Sequence, residues 1–175
     1  MKRLDISSDK TLEILNKVLF FDHFNSTEKD ILAGFHTHFY FLPKGEIIIS
    51  EGACDSSFYV LLTGRVSVHK KGSPRPLTAL YPGDCFGEIS FLTERPRTTS
   101  VKTQTDSIVF GVDRRTLTHM DVNIREKLKD NLIHVLVKRL DHMNDLVGKM
   151  SLRVIQAENN GTAGNFERAD GTQSV

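Results

Sequence analysis

The sequence predicts an α+β chain in which a run of short strands is flanked by helices. Three observations predict it. Near the start, Leu12, Leu15, Val18 and Leu19 recur at helical spacing. From about residue 38 to 113, short β-branched and aromatic runs about 8–12 residues apart alternate with Gly- and Pro-containing turns, the pattern of a sandwich or small barrel. From Asp113 onward the helical period returns and holds as one long apolar stripe.

The elements follow in order. After the first helix come Phe20, Phe21 and Phe24, and then Asn25-Ser26-Thr27-Glu28. Asn25 as N-cap with Glu28 three residues on reads as a capping box. Ile31, Leu32 and Phe35 give the second helix its apolar face. Strands are expected at Phe39-Tyr40-Phe41-Leu42, Ile47-Ile48-Ile49 and Phe58-Tyr59-Val60-Leu61-Leu62, bounded by Pro43-Lys44-Gly45, Glu51-Gly52 and Gly64. Further strands are expected around Val66 and Val68, at Leu77-Thr78-Ala79-Leu80, at Thr98-Thr99-Ser100-Val101 and at Ile108-Val109-Phe110-Gly111-Val112. Leu117 and Met120 mark a short helix.

Ile124, Leu128, Leu132, Leu136, Leu140, Met143, Val147, Met150 and Val154 form the long stripe, whose last spacings of 4, 3, 4, 3 and 4 are heptad-like. A helix of about 30 residues spans on the order of 45 Å, more than a small barrel covers, so its far end is expected to pair with another helix. Residues 156–175 are small and polar, with Phe166 the one large apolar side chain before Val175. Such a segment buries too little surface to offset its ordering entropy and is expected to be a disordered tail. The expected organisation is a domain over 1–155, with strands over about 38–113 and the long helix over about 121–155, followed by a polar tail over 156–175.

Composition narrows the function. Lys plus Arg is 23 and Asp plus Glu is 22, a formal charge of +1, which argues against a bulk electrostatic hold on DNA, RNA or an anionic membrane. No apolar run approaches the roughly 18 residues of a membrane helix, and no membrane attachment is expected. Met1 to Ser8 carries basic residues but no apolar segment of a secretory signal. Two cysteines, Cys54 and Cys85, are too few for a disulfide framework or, alone, for a zinc site, which fits a reducing cytosol and a cytoplasmic location. Trp is absent and Phe numbers 11, so Phe, Leu, Ile and Val must build most of the core. With no catalytic triad, Walker motif or paired carboxylate in the sequence, enzymatic activity is not expected. His36-Thr37-His38 resembles half of a cupin metal motif, but Leu42-Pro43 stands where the required Glu would follow, so neither metal nor cofactor is expected. His134 and His142 read as surface or interface residues of the long helix, and Cys85 as a small buried apolar residue.

One segment concentrates the chemistry: Phe86-Gly87-Glu88-Ile89-Ser90-Phe91-Leu92-Thr93-Glu94-Arg95-Pro96-Arg97-Thr98-Thr99-Ser100-Val101. Gly87 permits a tight turn after a strand. Glu88 to Thr93 has room for one or two helical turns before Pro96, and a short helix among strands offers free N–H groups to an anion. Arg97 opens the next strand and can present its planar fork to the same anion, with the Thr98 hydroxyl and N–H beside it. Glu88 would repel an anion unless it accepts hydrogen bonds from another part of the same ligand. A sugar hydroxyl beside a phosphate accounts for both charges. Singly, each residue has a plainer reading: an acid in a first helical turn, a solvated arginine at a strand start. Their combination points to a ligand.

The segment resembles the phosphate-binding cassette of the cyclic-nucleotide-binding domain family, which includes catabolite-activator-type regulators, regulatory subunits of cyclic-nucleotide-dependent kinases and gated ion channels. The matching residues are Phe86-Gly87-Glu88, Ser90 and Arg97-Thr98-Thr99-Ser100-Val101, at the Glu88-to-Arg97 spacing of the kinase-subunit form. Upstream, Pro43-Lys44-Gly45-Glu46, Gly52, Phe58-Tyr59-Val60, Gly64-Arg65-Val66-Ser67-Val68 and Pro82-Gly83-Asp84 extend the resemblance to about residues 12–150. It implies an eight-stranded β-roll, jelly-roll-like, with N-terminal helices, a short cassette helix and a long C-terminal helix. It implies that Arg97 pairs with the cyclic phosphate and Glu88 accepts from the ribose 2′-hydroxyl. Backbone groups of Gly87, Ile89, Ser90 and Thr98 complete the contacts, and Thr99 stands beside the phosphate where the family usually has Ala. Aligning Lys138-Arg139-Leu140 with the activator-type helix puts Met143 and Asn144 near the purine edge.

The function implied is a sensor that binds a cyclic purine mononucleotide, cAMP ranking slightly ahead of cGMP. It would signal to an effector protein in trans through movement of its C-terminal helix, with a homodimer formed through that helix. The alternative is a ligand-free β-roll that serves protein interaction or dimerisation. Intact Gly87, Glu88 and Arg97 favour the sensor, because losing the anion is expected to leave Arg97 and the helix amides unpaired. Autonomous DNA binding needs a further helix-turn-helix domain. With only the polar tail after the long helix, the domain is expected to stand alone and not to bind DNA directly.

Overall fold

The computed structural model describes residues 2–4 and 7–166; the side chains of 154, 155 and 157–166 lie outside the description. Met1–Ile133 and His134–Val175 fall into two units. In the first, helix α1 (Ser8–Asn16) and a 3-10 turn at Leu19–Phe21 lead to helix α2 (Ser26–Ala33). The expected capping box starts α2: the Glu28 N–H donates to Asn25 Oδ1 at 2.9 Å, and the Asn25 N–H to Glu28 Oε2 at 2.8 Å.

The strands are β1 (Lys2–Arg3), β2 (Phe39–Leu42), β3 (Ile47–Ile49), β4 (Phe58–Thr63), β5 (Val66–His69), β6 (Thr78–Leu80), β7 (Cys85–Phe86), β8 (Ser100–Thr103) and β9 (Ser107–Val112). Helix α3 (Glu88–Thr93) lies between β7 and β8, and α4 (Arg114–His119) follows β9. One antiparallel sheet has the order β1-β2-β9-β4-β7 and the other β3-β8-β5-β6. The eight strands β2 to β9 are those of the expected roll. The ninth, β1, pairs Lys2 with Phe41 and Arg3 with Tyr40, and two residues are too short to leave a period in the sequence. β8 begins at Ser100 rather than Thr98. The Arg97 and Thr98 carbonyls are bonded to the Gly52 N–H and the Lys70 ammonium, outside the ladder.

Alternation along the strands turns Leu42, Ile49, Tyr59, Leu61, Val66, Leu80, Phe86, Val101 and Val109 into one apolar cluster. A second layer is aromatic: the rings of Phe39 and Phe110 lie 4.9 Å apart, and Phe21 reaches Phe110 at 6.2 Å. Helix α5 (Val122–Phe166) enters this unit with Ile124, Leu128 and Leu132 buried, the first three positions of the stripe. Lys127 Nζ meets Glu28 Oε2 at 2.6 Å, and Asn131 donates to the Phe20 carbonyl, also at 2.6 Å.

In the second unit the described residues, 134–166, are helical. Leu140, Met143, Val147 and Met150 of the stripe are 57–65% exposed, while the Val154 side chain lies outside the described residues. Residues 156–166 are helical, so the helix passes the expected border at 155; residues 167–175 of the expected tail lie outside the described residues. Extending an existing helix requires no new nucleus, which is why composition misplaced that border. Among the described residues no helix is long and apolar enough to cross a membrane.

Candidate functional site

The chain leaves β7 through Gly87, whose left-handed backbone (φ 79°, ψ 1°) starts α3. A Cβ there would sit 2.6 Å from Arg97 Nη1, 2.9 Å from Ile49 Cδ1 and 3.0 Å from the Ser57 carbonyl oxygen. Both the backbone sign and the lack of space therefore require glycine. Glu88 follows, 2% exposed, with Ser90 at 3% and Ile89 on the open side at 45%. The far end of α3 is closed by α4: Arg114 Nη2 donates to the Phe91 carbonyl at 2.6 Å, and Nη1 pairs with Glu94 at 3.0 Å. A cation at a helix C-terminus is favourably placed against its free carbonyls.

Arg97 lies in the loop before β8 instead of opening the strand, and it is 2% exposed. Its main chain is laced to the β3–β4 turn: its N–H donates to the Ala53 carbonyl and its carbonyl accepts from the Gly52 N–H, both at 2.8 Å. Its guanidinium is gripped from three sides. Nε donates to Asp55 Oδ2 at 3.0 Å and Nη2 to Asp55 Oδ1; Nη1 donates to the Gly87 carbonyl at 2.7 Å and Nη2 to the Ser57 carbonyl at 2.6 Å. Of the five guanidinium N–H groups, these bonds leave one, on Nη1. The Arg97 hydrogen bonds hold the Asp55 carboxyl below the usual carboxylate range. Beneath the pair, Tyr59 stacks on Phe86 at 5.5 Å. Burial, with the Asp55 charge, pushes its phenol up to about 12.

Gly87, Glu88, Ile89, Ser90 and Arg97 are thus assembled around one turn, with exposed Thr98 and half-buried Thr99 directly after Arg97. Met143 and Asn144 are exposed positions of the other unit. The expectation that Arg97 without an anion would be unpaired is corrected: Asp55 already neutralises it. Neither Asp55 nor Ser57 was singled out from the sequence. An acid in a Gly-Ala-Cys-Asp-Ser-Ser turn reads as solvated, and its partner lies 42 residues on. A cavity of about 300 Å³, lined by Cys54, Asp55, Ser56, Ser90, Glu94, Arg95 and Arg114, lies beside the pair.

Residues 40–120 match the family model of the cyclic nucleotide-binding domain. The chain is 29% identical over 126 residues to the CRP-like cAMP-activated global transcriptional regulator of Mycobacterium tuberculosis, a match covering 65% of this chain and 56% of that protein. It is 41% identical over 72 residues to the cAMP-dependent protein kinase regulatory subunit of Aspergillus fumigatus, covering 41% of this chain and 17% of the subunit. The chain therefore spans about half the length of the first relative and less of the second. In fold it is similar to a cyclic nucleotide-binding domain from Methylobacillus flagellatus, with a TM-score of 0.65 at 23% identity over 80% of this chain and 82% of that one. The Gly87–Arg97 turn and nearly all of the two-sheet roll fall within residues 40–120, the segment of this chain that matches the cyclic nucleotide-binding domain family.

Proposed function

We propose that the chain binds a cyclic purine mononucleotide and acts as a regulatory module rather than an enzyme. The observation that carries the reading is Arg97, a buried cation with one Nη1 N–H left beside the Gly87–Glu88 turn. In this reading that N–H receives the cyclic phosphate, the backbone groups of Gly87, Ile89, Ser90 and Thr98 complete the phosphate and sugar contacts, and Thr99 stands beside the phosphate. Glu88 accepts from the ribose 2′-hydroxyl, which reconciles a buried carboxylate with an anionic ligand. The relatives' names favour cAMP over cGMP.

The output we propose is movement of the C-terminal helix, read by an effector protein in trans in the cytoplasm. The exposed seam Leu140, Met143, Val147 and Met150 is proposed to pair with the same seam of a second copy.

Calorimetric titration with cAMP and with cGMP tests the reading. Arg97→Ala should weaken binding by about 10- to 100-fold, the value of a lost charge-assisted hydrogen bond at a desolvated site. Unchanged affinity would place the phosphate elsewhere. One observation favours the ligand-free alternative: Asp55 satisfies Arg97 without any nucleotide. A wild-type chain that takes up neither nucleotide would select that alternative.

A further inference from the structure

Three chain segments meet at the Lys70 ammonium, just past the end of β5. Nζ donates to Glu51 Oε1 at 2.7 Å and to the Thr98 carbonyl at 2.8 Å. The other Glu51 oxygen accepts from the Lys71 N–H at 2.7 Å, and the Glu51 N–H donates to Ser100 Oγ at 2.9 Å. The carboxylate therefore holds both the side chain of Lys70 and the main chain of Lys71. It is tied in turn to the strand that follows Thr98 and Thr99. Bonds from Lys70 and the Lys71 N–H hold the Glu51 carboxyl below the usual carboxylate range.

The consequence falls on two peptide groups. Each peptide is planar and trans, so anchoring its carbonyl aims the N–H on its other side the opposite way. The Arg97 carbonyl is anchored by the Gly52 N–H, which fixes the Thr98 N–H. The Thr98 carbonyl is anchored by Lys70, which fixes the Thr99 N–H. Thr98 and Thr99 lie between α3 and β8, outside either element, so these anchors replace the ladder bonds that regular structure would supply.

We propose that Lys70, held by Glu51, is a positioning residue of the anion site: it preorganises the peptide between Thr98 and Thr99 so that the Thr99 N–H is set before ligand arrives. This rests on the cyclic-nucleotide reading above. Lys70 does not touch the ligand; it removes an ordering cost from binding. Fixing the backbone of one residue corresponds to roughly tenfold in an equilibrium constant, which sets the expected effect.

The test uses the full chain, wild type and Lys70→Met, Lys70→Arg and Glu51→Gln. Amide hydrogen exchange at Thr98 and Thr99 is measured without ligand, and cAMP and cGMP are titrated calorimetrically. Lys70→Met should speed exchange at the Thr99 amide, whose peptide Lys70 anchors, leave the Thr98 amide, held through Gly52, as the internal control, and weaken binding about tenfold. Glu51→Gln should give a smaller loss in the same direction. Lys70→Arg, which keeps a cation able to reach both oxygens, should restore both readouts; a residue needed only for stability would not show that pattern with an unchanged melting temperature. Exchange at Thr99 unaltered by Lys70→Met, or binding equal to wild type, overturns the proposal alone. A wild-type chain that binds neither nucleotide overturns the cyclic-nucleotide reading and this proposal with it.

Discussion

Replacing Asp55 by alanine removes the carboxylate from a guanidinium that is 2% exposed. Arg97 would keep the carbonyls of Gly87 and Ser57 and lose the charged partner that Asp55 supplies. Breaking a fully buried pair in this way costs about 3–5 kcal/mol. The Asp55 side chain is 49% exposed, so water screens part of the interaction and can solvate the freed edge. A loss of about 1–3 kcal/mol is expected on that ground. For a chain of this size each kcal/mol lowers the melting temperature by about 2–4 °C, which scanning calorimetry resolves. The pH dependence supplies a second check. The folded carboxyl titrates below its unfolded value, so its stabilisation is complete above the unfolded value of about 3.9 and is lost as pH falls through the folded one. Wild type and Asp55→Ala should therefore differ at neutral pH, begin to approach each other below about pH 4, and converge only once the pH falls below the folded carboxyl's lowered value. A variant that melts with wild type at pH 7 would refute the view that Asp55 is what keeps Arg97 buried.

Gly87→Ala puts a methyl 2.6 Å from Arg97 Nη1 on a left-handed backbone, which costs about 1–2 kcal/mol before any clash is relieved; nucleotide affinity by calorimetry should fall at least about tenfold. Glu88→Ala should weaken cAMP binding while a 2′-deoxy cyclic nucleotide binds both forms alike. Equal losses for the two ligands would make Glu88 a helix-start residue alone. Sedimentation of the full chain should show a dimer, and Leu140→Asp, at a 57% exposed seam position, a monomer with the same circular dichroism. A wild-type chain that stays monomeric at high micromolar concentration would refute pairing through that face.

By itself the sequence determined whatever depends on neighbours a few residues apart. The Asn25–Glu28 capping box, seven of the eight main strands and their turns, and Gly87 at the head of a short helix are local events, and each left its pattern in the chain, whereas the two residues of β7 did not. The candidate site was legible as a set of residue types at a spacing. Its electrostatics were not. Asp55 reaches Arg97 across 42 positions, Lys70 reaches Thr98 across 28, and Arg114 reaches Phe91 across 23. The first two pairs exist because antiparallel ladders between β3 and β8 and between β5 and β8 bring the ends of distant strands together, and the third because β7 and β9, which lead into α3 and α4, both pair with β4. Strand register is a property of two segments at once, and no period within either one encodes it. The tertiary structure alone therefore decided that Arg97 is already neutralised and that a lysine from a neighbouring strand end holds the peptide after it.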